Sequence, residues 1–277
     1  MRTWFRRRRN RWIASAAALG IAAAAAVAIA SSTQPRLIVV EPPSVADVPS
    51  ITATGLAPHE VPSIVSGIAP GKAILTSMVD TLNVFDAPNG TVTREMSRYT
   101  YYSIPLTLMA IEDRDVAGAM WFQVLLPAKP NGQTGWVRAS DVSVTSTDTV
   151  IRVYLAEHEL DLVVDGTVTM TAPVAVGAPA TPTPLGTFYI TDPIDLSADP
   201  STVYGSYALG LSGYSEALDS FKGTVPQIAI HGTDQPNLIG RSVSNGCIHL
   251  ENGVITDLAA RVGLGTPVII SASRTQT

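Results

Sequence analysis

The chain has 277 residues, of which 46% are hydrophobic and 15% charged, which allows a buried core and argues against global disorder. Its net charge of −5 conceals an asymmetry, because residues 1–30 carry six arginines and no acidic residue. The remainder holds 12 basic and 23 acidic residues, a net charge of −11. Such an acidic body repels phosphate backbones, which argues against nucleic acid as a partner.

The first 30 residues predict an export segment. RRRRNR is followed by residues 13–30, which contain no charge and eleven alanines. As a helix these eighteen residues would be ~27 Å long, just enough to cross a bilayer core. Residues 28–30 (AIA) also fit a signal-peptidase site, so a cleaved signal peptide and a retained membrane anchor are both open. Either one places the rest of the chain outside the cytoplasmic membrane.

Residues 31–71 predict a linker. Seven prolines fall within them, with little aromatic content. Such a segment buries too little apolar surface to fold, and its prolines keep it extended. We expect it to hold the folded part of the chain away from the membrane.

Residues 72–147 predict a small β domain. Short apolar segments alternate with Pro, Gly, Asn and Asp, a rhythm typical of a small β-barrel. WFQVLLPAKPNGQTGWV predicts a hairpin turning at Asn131-Gly132. This segment resembles bacterial SH3-like domains, and Trp121 and Trp136 carry the resemblance. The two tryptophans could hold a glycan or peptide, but a role in the core is favoured.

Residues 148–273 predict a second β-rich domain. VIRVYL alternates apolar and polar positions, and Asp165-Gly166 predicts a tight hairpin turn. QIAIH predicts a strand that ends at His231, residues 250–262 a helix, and TPVIISA a closing strand. Residues 192–222 show few strand signals and predict a long excursion or lid. The lid would offer three substrate-contacting tyrosines: Tyr204, Tyr207 and Tyr214.

The only cysteine of the chain, Cys247, lies in IAIHGTDQPNLIGRSVSNGCIHL. A single cysteine in an exported protein is reactive, intermolecularly paired or buried. A nucleophilic thiol needs a nearby base, for which His231 at a strand end is suited. A zinc site of His231, Cys247 and His249 is the competing interpretation; it has no obvious fourth ligand, and Asp234 and Glu251 are the nearest candidates. The remaining histidines, His59 and His158, are interpreted as structural.

The combination IHGT…SNGCI resembles the signature of L,D-transpeptidase (YkuD-type) catalytic domains. The run TPTPLGTFYI resembles the P-T-P-x-G-x-F turn of that family. The resemblance implies a mostly β fold: an SH3-like barrel followed by a YkuD-type β-sandwich with one or two short helices, after an N-terminal hydrophobic helix. Where the family usually has arginine two residues after the cysteine, this chain has His249.

The resemblance also implies roles for residues of the signature. Cys247 is the nucleophile, His231 the general base, and the Gly232 carbonyl orients His231. The backbone N–H groups of Gly246 and Cys247 form the oxyanion hole. The supporting residues are Ser244, Asn245 and His249.

The implied reaction is peptidoglycan cross-linking. Cys247 forms a thioester with a donor stem peptide, D-Ala leaves, and an amine of an acceptor stem gives a 3→3 cross-link. The reaction needs no metal or cofactor, and carbapenem-type β-lactams are expected inhibitors. An L,D-carboxypeptidase using the same acyl-enzyme and a non-catalytic cell-wall-binding protein remain as alternatives.

Overall fold

The computed structural model describes residues 73–221 and 223–274. The predicted export segment (1–30) and linker (31–71) lie outside the described residues. The described part contains two large β-sheets within one compact unit, which confirms the mostly β prediction. No helix within that part is long and apolar enough to span a bilayer.

The first sheet has seven antiparallel strands in the order β3-β2-β6-β5-β4-β1-β7. Leu75, Leu108 and Phe122 lie in its buried core. The predicted strand-rich character of this region is confirmed, and its resemblance to SH3-like domains stays a prediction. The strands are β1 Ala73–Ser77, β2 Thr81–Phe85, β3 Val92–Ser97, β4 Thr107–Val116, β5 Ala119–Leu125, β6 Thr134–Arg138 and β7 Val142–Ser146.

The two tryptophans of the first sheet are core residues. Trp121 and Trp136 are 1% and 5% exposed and pack with Phe85. The guanidinium of Arg138 lies 4.7 Å from the ring centroid of Phe85, and that of Arg114 lies 4.7 Å from Trp136. The favoured core role is therefore confirmed, because these rings are not open to a glycan or peptide.

The second sheet has eight strands in the order β10-β9-β8-β17-β12-β13-β14-β16. The strands β11 and β15 form a separate two-stranded parallel sheet. Only the pairs β8–β17 and β14–β16 of the large sheet are parallel. The strands are β8 Thr149–Tyr154, β9 Glu159–Val164, β10 Thr167–Pro173, β11 Val176–Gly177, β12 Gly186–Asp195, β13 Tyr207–Tyr214, β14 Gln227–His231, β15 Ser242–Ser244, β16 Ile248–His249 and β17 Pro267–Ser271.

The predicted turn at Asp165-Gly166 is confirmed. β9 and β10 pair directly on either side of it, and both turn residues have positive φ, 51° and 76°. Two consecutive positive φ values are the requirement of the tight type I′ hairpin, which explains the Asp-Gly sequence. At the other predicted turn, Gly132 also has positive φ, within a longer connection between β5 and β6.

The prediction of a strand-poor excursion over residues 192–222 is wrong in its centre. β12 continues to Asp195, and β13 occupies a central position in the sheet. A strand buried on both faces lacks the alternation of apolar and polar residues that predicts strands. Gly210 and Gly213 within β13 weaken its strand signal further. A Cβ on Gly213 would lie 2.5 Å from the Phe188 ring, so that glycine serves close packing. Within the predicted range, the residues outside strands are therefore limited to 196–206 and 215–221 among those described.

The single α-helix of the described residues, α1, spans Asn252–Ala259. It is shorter than the predicted 250–262 and buries Ile255 and Leu258 against the second sheet. The strand β17, which follows it, confirms the predicted closing strand.

The two sheets are held together by a buried junction. Tyr189 of β12 is fully buried in the core of the first sheet, and its hydroxyl donates to the Leu125 carbonyl at 3.0 Å. Asn131 binds the backbone of Tyr214 twice, at 2.8 and 2.9 Å. These contacts fix the first sheet against β12 and the end of β13 in the second sheet.

Candidate active site

Two adjacent parallel strands bring the HGT and SNGC segments together. His231 ends β14 opposite His249, which ends β16, and their ring centroids are 4.4 Å apart. Two residues earlier, the backbone N–H of Ala229 is directed at the thiol of Cys247. Parallel strands need a crossover connection, and residues 232–247 provide it. Cys247 and His231 therefore lie diagonally across one strand pair.

The turn before Cys247 is held by Ser244. Its Oγ donates to the Cys247 carbonyl at 2.6 Å and accepts the Gly246 N–H at 3.1 Å. Gly246 has φ 110°, and a Cβ there would lie 2.9 Å from Ile228 Cδ1, so only glycine fits without strain. Asn245 is exposed at the tip.

The imidazole of His231 is oriented by the backbone. Its Nδ1 lies 2.6 Å from the Gly232 carbonyl oxygen, and the residue is 3% exposed. A carbonyl oxygen can only accept, so Nδ1 carries the proton and Nε2 presents a lone pair. No hydrogen bond joins His231 to Cys247 directly within the described residues, and catalytic contacts of this kind often tighten only with substrate.

Burial keeps both reacting groups neutral. It lowers the pKa of His231 to about 3, with a further lowering from the neighbouring His249. It raises the pKa of Cys247 to about 11, against which the Ala229 N–H acts. At neutral pH the pair is therefore thiol and imidazole, which suits proton transfer to a base during attack better than a standing ion pair.

His249 lies two residues after Cys247, where the resemblance to L,D-transpeptidases implies arginine. Burial lowers its pKa, and the charge of Asp234 opposes that lowering. Its backbone N–H donates to the Ala175 carbonyl and its own carbonyl accepts from Ala175, which fixes β16 on both sides. A neutral ring at this position adds no fixed charge beside His231.

Of the three tyrosines predicted as lid contacts, only Tyr204 approaches the signature residues. Its ring lies edge-on to His231 with centroids 5.0 Å apart, and its pKa is raised by burial and by Cys247. Tyr207 lies in β13 and packs partly against the core of the second sheet. Tyr214 ends β13 at the junction of the two sheets.

The family model of the L,D-transpeptidase catalytic domain (YkuD) matches residues 148–270. The L,D-transpeptidase YkuD of Bacillus subtilis (strain 168) is 33% identical over 153 residues, covering 53% of this chain and 84% of that protein. Its counterpart in Bacillus licheniformis is 33% identical over 156 residues, covering 54% and 86%. The chain belongs to the L,D-transpeptidase family. This family consists of peptidoglycan-modifying acyltransferases.

Solved structures of L,D-transpeptidases resemble the chain more distantly. LdtMt1 in complex with imipenem has a TM-score of 0.36 and 18% identity, covering 56% of this chain and 92% of that one. L,D-transpeptidase 3 from Mycobacterium tuberculosis has a TM-score of 0.38 and 14% identity, covering 55% and 91%.

The sequence alone did not reveal the role of Asn252. Its Oδ1 accepts the backbone N–H groups of Ser206 and Thr233, at 3.2 and 3.1 Å. It thereby ties the end of the 196–206 excursion to the segment after His231. A Cβ on Gly232 would lie 2.2 Å from this oxygen, so the glycine next to His231 also serves this contact. An asparagine at a helix start carries no signal that distinguishes such a role from capping.

The zinc interpretation finds no supporting geometry in the part of the chain that the structure describes. Among residues 73–221 and 223–274, no group of three or more His, Cys, Asp or Glu side chains is arranged to hold a metal ion. Asp234 is close enough to His249 to influence its pKa, and Glu251 precedes α1. His158 is engaged elsewhere, with Nε2 2.9 Å from Ser242 Oγ.

Proposed function

We propose that this protein is a peptidoglycan L,D-transpeptidase that forms 3→3 cross-links through a thioester on Cys247. The observation that carries the proposal is the imidazole of His231, fixed by the Gly232 carbonyl on the strand beside the cysteine. The family supplies the class of reaction. The neutral thiol and oriented imidazole supply the chemistry that such a reaction needs.

In the acylation step, Cys247 attacks the carbonyl of the third stem residue. The S–H proton passes to His231 Nε2 as the S–C bond forms. The amide C–N bond then breaks, and the imidazolium returns the proton to the amine of the departing D-Ala. Imidazolium formation is assisted by the Gly232 carbonyl, which accepts from Nδ1 in both protonation states.

The oxyanion of the tetrahedral intermediate needs backbone donors. Gly246 N–H is engaged with Ser244 Oγ at 3.1 Å in the free protein, so an oxyanion at Gly246 must compete with that hydroxyl. We therefore assign the principal donor role to Cys247 N–H. Gly246 contributes mainly the positive φ that turns the thiol toward Ala229.

In the second step an amine of an acceptor stem attacks the thioester. His231 takes a proton from that amine, and the thiolate of Cys247 regains a proton as it leaves. Water in place of the amine would make the protein an L,D-carboxypeptidase. We favour the amine because the ring of Tyr204 packs edge-on against His231, with centroids 5.0 Å apart, and shields that side of the base from water.

The substrate class implies a location outside the cytoplasmic membrane. The arginine-rich start of the chain, followed by the uncharged residues 13–30, supports export, with the proline-rich linker as a tether. Solved L,D-transpeptidase structures include LdtMt1 in complex with imipenem and L,D-transpeptidase 3 from Mycobacterium tuberculosis in complex with a faropenem-derived adduct. We propose that Cys247 also reacts with β-lactams, because the strained β-lactam carbonyl is an acyl donor that a thiol can attack.

Two measurements on the purified protein test the proposal. Incubation with a carbapenem should add one adduct per chain by intact mass, because Cys247 is the only cysteine. Incubation with disaccharide-tetrapeptides should give cross-linked dimers and free D-Ala. Tripeptide alone would assign the carboxypeptidase reaction. A folded protein with neither adduct nor product would contradict the proposal and favour the non-catalytic alternative.

A further inference from the structure

The side chain of Asn252 bonds to segments outside its own helix. Asn252 is the first residue of α1, where Glu251 holds the N-cap position without a side-chain cap bond. The Oδ1 of Asn252 accepts the backbone N–H of Thr233 at 3.1 Å and that of Ser206 at 3.2 Å. Backbone N–H groups only donate, so the atom that faces them is the amide oxygen. One acceptor therefore serves two segments beside the base.

The bond to Thr233 reaches the peptide group that orients His231. The carbonyl of Gly232 and the N–H of Thr233 belong to one peptide unit. At one end of it, the carbonyl oxygen lies 2.6 Å from His231 Nδ1. At the other end, the N–H donates to Asn252 Oδ1. The peptide C–N bond has partial double-bond character, so an acceptor at the N–H end increases the negative charge on the carbonyl oxygen. A hydrogen-bond chain therefore runs from the imidazole through one peptide to Asn252.

Two glycines make room for the Asn252 oxygen. A Cβ on Gly232 would overlap Oδ1, and so would a Cβ on Gly205. Gly205 also has φ 63°, a conformation that favours glycine. Neither position could carry a side chain while the oxygen stays in place. The fold therefore keeps this acceptor against both segments, with no space for a side chain between them.

The imidazolium that forms during attack depends on the strength of this carbonyl as an acceptor. Burial lowers the pKa of His231 most, the neighbouring His249 lowers it further, and the bond to the Gly232 carbonyl acts in the opposite direction. Gly232 and Thr233 are buried too, so solvent does not readily replace their bonds. In a Ser-His-Asp triad, a carboxylate stabilises the imidazolium. Here a neutral peptide occupies that position, and what its N–H bonds to affects how well it does so.

The second bond of Oδ1 holds the segment that carries Tyr204. Ser206 lies two residues after Tyr204, and its hydroxyl also donates to the Asn252 carbonyl, at 3.0 Å. The ring of Tyr204 packs edge-on against His231. Asn252 can therefore act on the base by two routes, the peptide and the tyrosine ring. The peptide is the stronger route, because it hydrogen bonds to the imidazole whereas the ring only packs against it.

We propose that Asn252 is a positioning residue for acyl transfer, which acts on His231 through the peptide between residues 232 and 233. The inference rests on the proposed function and deepens it, since it adds a further group that supports the base. When the thiol proton moves to Nε2, the proton on Nδ1 stays there, and no proton travels along the chain. Asn252 holds the Gly232 carbonyl toward Nδ1 and strengthens it as the acceptor for the imidazolium.

The first measurement follows the Nδ1 hydrogen bond without any substrate. The full chain is labelled with ¹⁵N-histidine, and the Nδ1–H proton resonance of His231 is assigned by its loss in His231→Gln. A weaker hydrogen bond moves this proton upfield and a stronger one moves it downfield. Asn252→Ala should move it upfield. Asn252→Asp should move it downfield, because a carboxylate is the stronger acceptor and a negative charge is favourable in the first turn of a helix.

The second measurement is the rate constant of carbapenem acylation. Asn252→Ala should lower it about 3- to 10-fold, the effect of one hydrogen bond. Asn252→Asp should keep it within about a factor of two of wild type or raise it. Thr256→Ala is the matched control on the same helix, because its exposed hydroxyl donates to the Asn252 carbonyl at 2.9 Å and its removal leaves both bonds of Oδ1 intact. This control should acylate like the wild type.

A double-mutant cycle with Tyr204→Ala separates the two routes. If Asn252 acts through the peptide, Asn252→Ala should lower the rate constant by the same factor with and without Tyr204. A loss that disappears in Tyr204→Ala would overturn the inference, as would an Nδ1–H proton that Asn252→Ala leaves unmoved.

Asn252→Asp decides alone if Asn252→Ala does not fold. A downfield shift supports the inference, and an unmoved or upfield proton contradicts it. A wild-type protein that forms neither adduct nor cross-linked product would overturn the proposed function, and the Nδ1–H resonance would still decide the role of Asn252.

Discussion

Two polar regions of the molecule are stabilised in opposite ways: the pair Cys247 and His231, and Asp192 at the junction of the two sheets. At the first, Nδ1 of His231 is bound to the Gly232 carbonyl and Ser244 secures the turn, with both reacting groups neutral. At the junction, one carboxylate oxygen of Asp192 is buried without a hydrogen-bond partner among the described residues. The backbone therefore preorganises the reacting pair, whereas the fold leaves one acceptor of Asp192 unsatisfied, which costs stability.

The largest expected effect comes from removing the thiol. Cys247→Ala should abolish the carbapenem adduct and D-Ala release completely, because the chain has no other cysteine. Intact mass and amino-acid analysis measure the two losses. Asp195→Asn serves as a matched control that should acylate like the wild type. Any adduct on Cys247→Ala would place the nucleophile elsewhere.

Removing the base should have the next largest effect. His231→Ala should slow carbapenem acylation by about 10²- to 10⁴-fold, since the thiol then lacks its proton acceptor. Time-resolved intact mass gives the rate constant. A rate within a factor of about two of wild type would contradict the assignment of His231 as base.

The turn that positions the thiol can be tested through stability. Gly246→Ala and Gly240→Ala both place a side chain at positive φ, 110° and 83°. Each should lower the free energy of unfolding by about 1–3 kcal/mol. Gly246→Ala should cost more, because its Cβ would lie 2.9 Å from Ile228 Cδ1 whereas nothing lies within 4 Å at Gly240. Urea denaturation measures the free energy of unfolding of both variants. Equal losses would show that the Ile228 side chain moves aside at no cost.

The smallest expected effect is that of pH. His231 protonates only as pH falls toward about 3, and Cys247 ionises only as pH rises toward about 11. The acylation rate constant should therefore change little between about pH 5 and 9. Single-turnover acylation across that range measures it. If the rate constant instead changed with pH near the ordinary pKa values of histidine and cysteine, His231 and Cys247 would be exposed to solvent and not buried.

Regular local patterns were predictable because they depend on few residues. The turn at Asp165-Gly166 follows from the positive φ that its two residues tolerate, and the strand ending at His231 from its apolar run. β13 was not predictable by alternation, since both its faces are buried and Gly210 and Gly213 weaken its strand signal. Those glycines are explained only by what packs on them, Asp192 and the Phe188 ring.

By itself, the sequence determined the signature: one cysteine after Ser-Asn-Gly, and a histidine followed by glycine, in a chain of mostly β character. These features are local, so spacing and residue type suffice to state them. Only the tertiary structure decided that His231 and His249 share a parallel pair and that Asn252 ties the excursion to the segment after β14. It alone placed Asp192 beneath tyrosines that lie about 90 residues earlier in the chain. Burial and partnership of a charge depend on contacts between distant segments, and these do not exist until the sheets pack.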